Sequence, residues 1–166
     1  MLKLMKVNLL GPMYLSKLVL PAMREAGKGH IVNISSLAGI VAGSNMASYA
    51  ASKFGIRGHT QSLQAEFDLI GERNVKLTSV HPHITKTGLF NNVEAKWPLF
   101  FPLLEPEWVA DQIIIATQEE KQMACLPKWI NPFWAVEPLM SSKVWRKYSD
   151  MLGAHLMNNF VKIRPE

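Results

Sequence analysis

This chain of 166 residues has a single cysteine, Cys125. No intrachain disulfide can form, and a reducing environment fits better than a secreted one. The thiol reads as a small core residue rather than a nucleophile. The sequence has no run of about 20 uninterrupted apolar residues, so it is not expected to cross a bilayer as a helix. Lys3 and Lys6 interrupt the apolar start and no small-residue cleavage pattern follows, so no secretory leader is read there. Nor is there a block of five or six like charges to match the formal net charge of +5. The basicity is diffuse rather than clustered with aromatics on one face, and no nucleic-acid partner is expected. Internal repeats and linkers are absent too, which leaves one domain over residues 1–166.

Within that domain the apolar pattern alternates between two periods. Residues 2–26 read as a helix, with Leu2, Met5, Leu9, Met13, Leu18 and Leu20 at mostly helical intervals and Gly27 as a stop. The pair Gly11-Pro12 is a flaw inside it, because Pro12 has no N–H to give the carbonyl of Asn8. Residues 30–35 form a short β-branched strand after Gly27-Lys28-Gly29, and a loop of small residues follows. A long helix is predicted over 46–70, ended by Gly71. A second strand covers 75–81, closed by Pro82. A helix over 106–119 and a weak third strand over 122–126 complete the pattern. Strands alternating with helices imply parallel βαβ connections, hence an open α/β sheet.

The chemistry concentrates between Ser36 and Lys53. Ser36 ends a strand, Tyr49 follows thirteen residues later, and Lys53 lies four residues beyond Tyr49 on the same helix face. A tyrosine normally ionises near pH ~10. A neighbouring cation favours the phenolate, so Lys53 is expected to lower the Tyr49 pKa towards a usable acid or base. A Tyr-x-x-x-Lys pair is common by chance and weak alone. Its weight comes from the order: a strand ending Ile34-Ser35-Ser36, an Ala38-Gly39 loop, the pair early in a helix, then a strand ending in proline with Thr87 five residues on. Other chemistries fit less well. His81 and His83 are two ligands where zinc takes three or four. Ser36 lacks the G-x-S-x-G turn of a hydrolase nucleophile.

These motifs, together with Asn8-x-x-Gly11, the LPAM segment from Leu20, GHIVNISSLAG from Gly29, YAASK from Tyr49 and HPHITKTGLF from His81, resemble the short-chain dehydrogenases/reductases. The chain is most similar to the branch containing retinol dehydrogenases and 17β-hydroxysteroid dehydrogenases. The resemblance implies the carboxyl-terminal part of a Rossmann-type doubly wound parallel sheet, lacking the first βαβ units. It also implies catalytic roles. Tyr49 would exchange a proton with the substrate oxygen, and Lys53 would lower the tyrosine pKa and bond the nicotinamide ribose. Ser36 would hold the substrate oxygen, and Asn8 would hold a relay water, its carbonyl freed by Pro12. The cofactor would be NAD or NADP, touched by Tyr49, Lys53, Pro82, His83, Thr85 and Thr87, with His83 standing where the family commonly has glycine.

The glycine-rich turn that sets a dinucleotide pyrophosphate on a helix amino terminus is not among the ten glycines. Gly27-Lys28-Gly29 precedes a strand instead of following one, and Gly55-x-x-Gly58 lies within a helix pattern. The strand over 31–34 is thus expected to have an open edge, and the chain alone to be marginally stable. Two functions follow: the catalytic half of an NAD(P)-dependent oxidoreductase of lipophilic alcohols and their carbonyls, of retinoid or steroid type, or a catalytically silent truncated form that acts as an interaction module. The resemblance places homo- or hetero-dimer contacts on helices 2–26 and 46–70. It places the protein at the cytosolic face of the endoplasmic reticulum or on lipid droplets. Residues 128–166 form a carboxyl-terminal extension, with Trp129, Phe133, Trp134 and Trp145 among Lys143, Arg146 and Lys147. That composition suits a substrate lid, a peripheral membrane contact or plain core.

Overall fold

A computed structural model describes residues 1–41, 43, 45–87, 102–131, 139–145 and 147. Among them three strands form one parallel sheet in the order β1-β2-β3. These are β1 (Gly29–Ile34), β2 (Val75–Pro82) and β3 (Met123–Leu126). The register runs from Gly29↔Val75 to Ile34↔Val80 on one side of β2, and from Ser79↔Met123 to Pro82↔Leu126 on the other. Each connection is a helix: α3 (Ala47–Ile70) joins β1 to β2, and α4 (Pro106–Gln118) precedes β3. The α/β class read from the alternation of periods is the class observed.

The first helical region answers the Gly11-Pro12 flaw in its own way. A short α1 (Leu2–Met5) passes into a π turn over Lys6–Leu10 and then into α2 (Gly11–Glu25). Pro12 cannot supply the N–H that an α-helix would aim at the Asn8 carbonyl, and its ring would crowd that carbonyl. Widening the coil by one residue resolves both problems. The Gly11 N–H therefore reaches back five residues to the Lys6 carbonyl. The helix neither breaks nor stays regular at Asn8. Pro21 lies further along inside α2, which runs on to Glu25.

The end of α3 is set by Gly71, at φ 70°, a left-handed conformation that costs glycine least. Glu72 N–H then closes the helix by donating to the Phe67 carbonyl at 2.9 Å. Phe67, wholly buried, packs with Ile31, Val75 and Leu77 between α3 and the sheet. Burying such a side chain stabilises the fold by about 1.5–3 kcal/mol. Around β3 and α4 a second group gathers Val80, Leu104, Val109, Ala116, Ala124 and Leu126. A third group, Leu37, Ile40, Val41, Cys125 and Ile130, seats the loop after β1. Cys125 is buried there and its thiol pKa is pushed up to about 11 by that burial, as suits a core residue.

Among the described residues β1 pairs with β2 alone, so its outer edge is open. No helix of the described residues is long and apolar enough to cross a membrane.

Candidate active site

Ser36 is the second residue past β1, in a fully extended conformation, φ −167° and ψ 164°. Its Oγ accepts from the Ala38 N–H at 3.1 Å and so caps the single 3-10 turn Leu37–Gly39. Because the oxygen is occupied as an acceptor, the hydroxyl hydrogen is the part left to point outward. It is the part that can donate to the Tyr49 phenol on the same cavity, and such a bond favours the phenolate.

The turn packs tightly against α3. A Cβ on Gly39 would lie 2.6 Å from the Lys53 carbonyl oxygen and 2.4 Å from Ser35 Oγ, so only glycine fits. Ser35 Oγ in turn donates to the Lys53 carbonyl at 2.9 Å. The backbone carrying Lys53 is thereby fixed to the end of β1. Tyr49 is tied down from the opposite side: Ser52 Oγ donates to the Tyr49 carbonyl at 2.7 Å, and Asn8 Nδ2 donates to Ser52 Oγ at 3.3 Å. Asn8, on the π turn, thus reaches the site through Ser52, and it does not line the cavity.

That cavity holds about 380 Å³ between the carboxyl ends of β1 and β2 and the face of α4. Ser36, Tyr49 and Lys53 line it on one side. Pro82, His83, Thr85 and Thr87 line it on another, and Val109 and Ile113 of α4 add an apolar wall. The structure brings seven of the eight sequence-predicted residues to one cavity and leaves Asn8 behind it. Clefts at the carboxyl ends of parallel strands are where open α/β sheets bind ligands.

The electrostatics differ from the sequence expectation at one point. Burial raises the Tyr49 pKa, and the hydrogen bond from Ser36 opposes that rise without cancelling it. Lys53 does not bring the value down, because its Nζ donates to the Ile34 carbonyl at 2.9 Å and lies over the Tyr49 ring, 5.7 Å from the centroid. Burial lowers the Lys53 pKa as well. Tyr49 is accordingly a protonated acid at neutral pH in this arrangement. His83 donates its backbone N–H to Leu126 at 2.8 Å, and burial pushes its ring down to about 4, against a hydrogen bond to the Pro102 backbone that raises it.

Sequence reading missed two groups. His81, wholly buried, bonds Ser79 Oγ at 2.6 Å and the Ser36 carbonyl at 3.1 Å. Leu104 bridges Thr85 and so ties the residues after β2 to the start of α4. Neither role had a local signal: the spacing of His81 and His83 spoke only of a metal pair too small for zinc.

The residues fit the nicotinamide end of a dinucleotide by their donor chemistry: an ammonium and hydroxyls facing an apolar cleft beside a phenol. Comparison with known proteins points the same way. The family model for short chain dehydrogenase matches residues 1–97. Short-chain dehydrogenase/reductase family 16C member 6 of Bos taurus is 35% identical over 89% of this chain and 46% of its own length. Epidermal retinol dehydrogenase 2 of Homo sapiens is 33% identical over 93% of this chain and 50% of its own. For 17-beta-hydroxysteroid dehydrogenase 13 of Rattus norvegicus the figures are 32%, 86% and 46%. The chain therefore spans about half the length of the curated relatives it matches. Among solved structures, 4-hydroxyisoleucine dehydrogenase complexed with NADH superposes with a TM-score of 0.61 at 29% identity, over 74% of this chain and 55% of that one.

Proposed function

The chain belongs to the short-chain dehydrogenase family, and from that premise we propose that it supplies the catalytic half of an NAD(P)-dependent oxidoreductase interconverting a lipophilic alcohol, of retinoid or steroid type, and its carbonyl. The observation that carries this reading is the convergence of Ser36, Tyr49 and Lys53 with Pro82, His83, Thr85 and Thr87 on one cavity that also has an apolar wall. Relatives named for retinol and hydroxysteroid substrates support the substrate class.

In the reducing direction the Tyr49 phenol gives its proton to the carbonyl oxygen of the substrate, and in the oxidising direction it takes that proton back. The Ser36 hydroxyl, held outward by its bond from Ala38, donates to the same oxygen. Bound nicotinamide would accept or supply the hydride. Lys53 would bond the ribose on leaving the Ile34 carbonyl, and Thr85 and Thr87 would hold the carboxamide. Asn8 fixes the Tyr49 backbone through Ser52 and stands where its carbonyl could hold a water. Residues 128–166 would act as a lid or membrane-surface contact at the cytosolic face of the endoplasmic reticulum or of lipid droplets; most of them lie outside the described residues.

Titrating NADH and NADPH against the 166-residue protein by calorimetry tests the reading. Saturable binding is expected, weakened at least about 10-fold by Lys53→Ala, since a hydrogen bond to a charged group is worth roughly 1.5–3 kcal/mol. No saturable binding would count against it.

A second reading has its own observation. Leu2, Val7, Tyr14, Leu15 and Leu18 are all largely exposed along α1, the π turn and α2. Such an apolar face suits an interaction module that forms homo- or hetero-dimers, in which the site is silent.

A further inference from the structure

The wholly buried imidazole of His81 is not among the residues that line the cavity, and it meets Ser36 at the backbone carbonyl. Its two bonds nonetheless fix its chemical form. The partner of Nδ1 is the Ser36 carbonyl, at 3.1 Å, which can only accept, so Nδ1 carries the hydrogen. In the neutral ring Nε2 then has a lone pair, and Ser79 Oγ, at 2.6 Å, donates to it. Hydroxyl, imidazole and carbonyl form one directed chain from the middle of β2 to the second residue past β1. Its last member also accepts from the Gly39 N–H at 2.9 Å, so the Ser36 peptide is held from two directions.

Ser36 has no regular strand partner to hold its carbonyl, because β1 ends at Ile34 and its last ladder bond is donated by Ser35 to Val80, at 2.8 Å. Without His81, the Ser36 carbonyl would keep the Gly39 bond alone of these two, and the residue that carries the Oγ would be held less firmly. Burial keeps the ring neutral, its pKa pushed down to about 4 despite the bond to Ser36, and the cations of Arg57 and Lys53 on α3 act in the same direction. Across the β3 side of the strand it is in register with Cys125, whose thiol is also neutral at ordinary pH.

We propose that His81, locked by Ser79 as the Nδ1–H tautomer, is a positioning residue that aims the Ser36 hydroxyl at the Tyr49 phenol. This rests on the pairing of Ser36 with Tyr49 in the proposed active site. Since the Ser36 bond works against the burial that raises the Tyr49 pKa, Tyr49 ionisation reports whether Ser36 is in place.

The test is the titration of Tyr49 followed by the ¹³Cζ resonance in protein labelled at tyrosine, assigned with Tyr49→Phe. Ser36→Ala is expected to raise the Tyr49 pKa. His81→Leu is expected to raise it by the same shift, and to add nothing in the Ser36→Ala background. His81→Asn keeps a donor where Nδ1 stood and is expected to leave the titration at the wild-type value. A His81→Leu protein that titrates like wild type while Ser36→Ala does not would overturn the positioning role and leave the Ser36–Tyr49 pairing standing. An unshifted Ser36→Ala titration would overturn that pairing and the proposal together. Should His81→Leu fail to fold, the wild-type protein still decides. A long-range ¹H–¹⁵N spectrum is expected to show the Nδ1–H tautomer at His81, and the Nε2–H tautomer there would overturn the proposal.

Discussion

Tyr49 sits in a position where two influences oppose each other: burial favours the neutral phenol and the Ser36 hydroxyl favours the phenolate. Burial wins, so the group holds its proton through neutral pH and is set up to donate. Reduction of a carbonyl should hold its rate across neutral pH, whereas oxidation, which needs the phenolate, should climb as pH approaches and passes ~10. Rates measured in both directions across pH check this. Tyr49→Phe should lower kcat by about 10²–10⁴-fold, the usual contribution of a positioned acid. His81 carries a different pH signature. Its folded pKa of about 4 lies below the ordinary 6.5, so the unfolded chain takes up a proton first as pH falls. Stability from this group is complete above about 6.5 and is lost as pH falls through about 4, on the order of 3 kcal/mol in all. Urea midpoints across that window should fall in wild type and fall less in His81→Asn. That Tyr49 and Lys53 share one face was legible in the sequence because their spacing is local and helical, and Ser36 was legible only through the order of the motifs around it. His81 was not, since its essential partner is 45 residues away.

At the level of elements, the site depends on how closely the turn after β1 approaches α3. Gly39→Ala would drive a methyl group into the Lys53 carbonyl, a backbone atom that cannot rotate aside. It should cost about 1–3 kcal/mol, the usual penalty of overpacking, and lower activity by displacing Lys53. Denaturant unfolding and steady-state rates on the same protein check both effects. Further down α3, Phe67→Ala should cost about 3–5 kcal/mol while leaving the residues lining the cavity in place. The π turn marks the limit of what spacing alone conveys. Gly11-Pro12 revealed that a regular α-helix could not pass Asn8, but whether the helix would break or widen depends on packing: Leu9 meets α3 at Gly55, where a Cβ would lie 2.9 Å from the Leu9 methyls. Pro12 also fixed the second consequence, that the Asn8 carbonyl loses its ordinary partner.

For the whole molecule, the parallel sheet, its helix connections and the family were all legible, because alternating periods and ordered motifs survive in any stretch of chain. The apolar wall from α4 was harder to read, since nothing in residues 106–119 says which neighbour they face. The stretch 88–101 between Thr87 and α4 lies outside the described residues. A chain whose β1 edge is open among the described residues, with Leu15 and Leu18 exposed on α2, should associate as its concentration rises. Sedimentation velocity should show this, and Leu15→Glu with Leu18→Glu should suppress it. The catalytic reading is tested most directly by hydride transfer itself: loss of reduced-nicotinamide absorbance when the 166-residue protein meets NADH or NADPH with a retinoid or steroid carbonyl compound. Carbonyl-dependent oxidation that Tyr49→Phe abolishes is the expected result; no turnover with either cofactor, or turnover that Tyr49→Phe leaves intact, would contradict it.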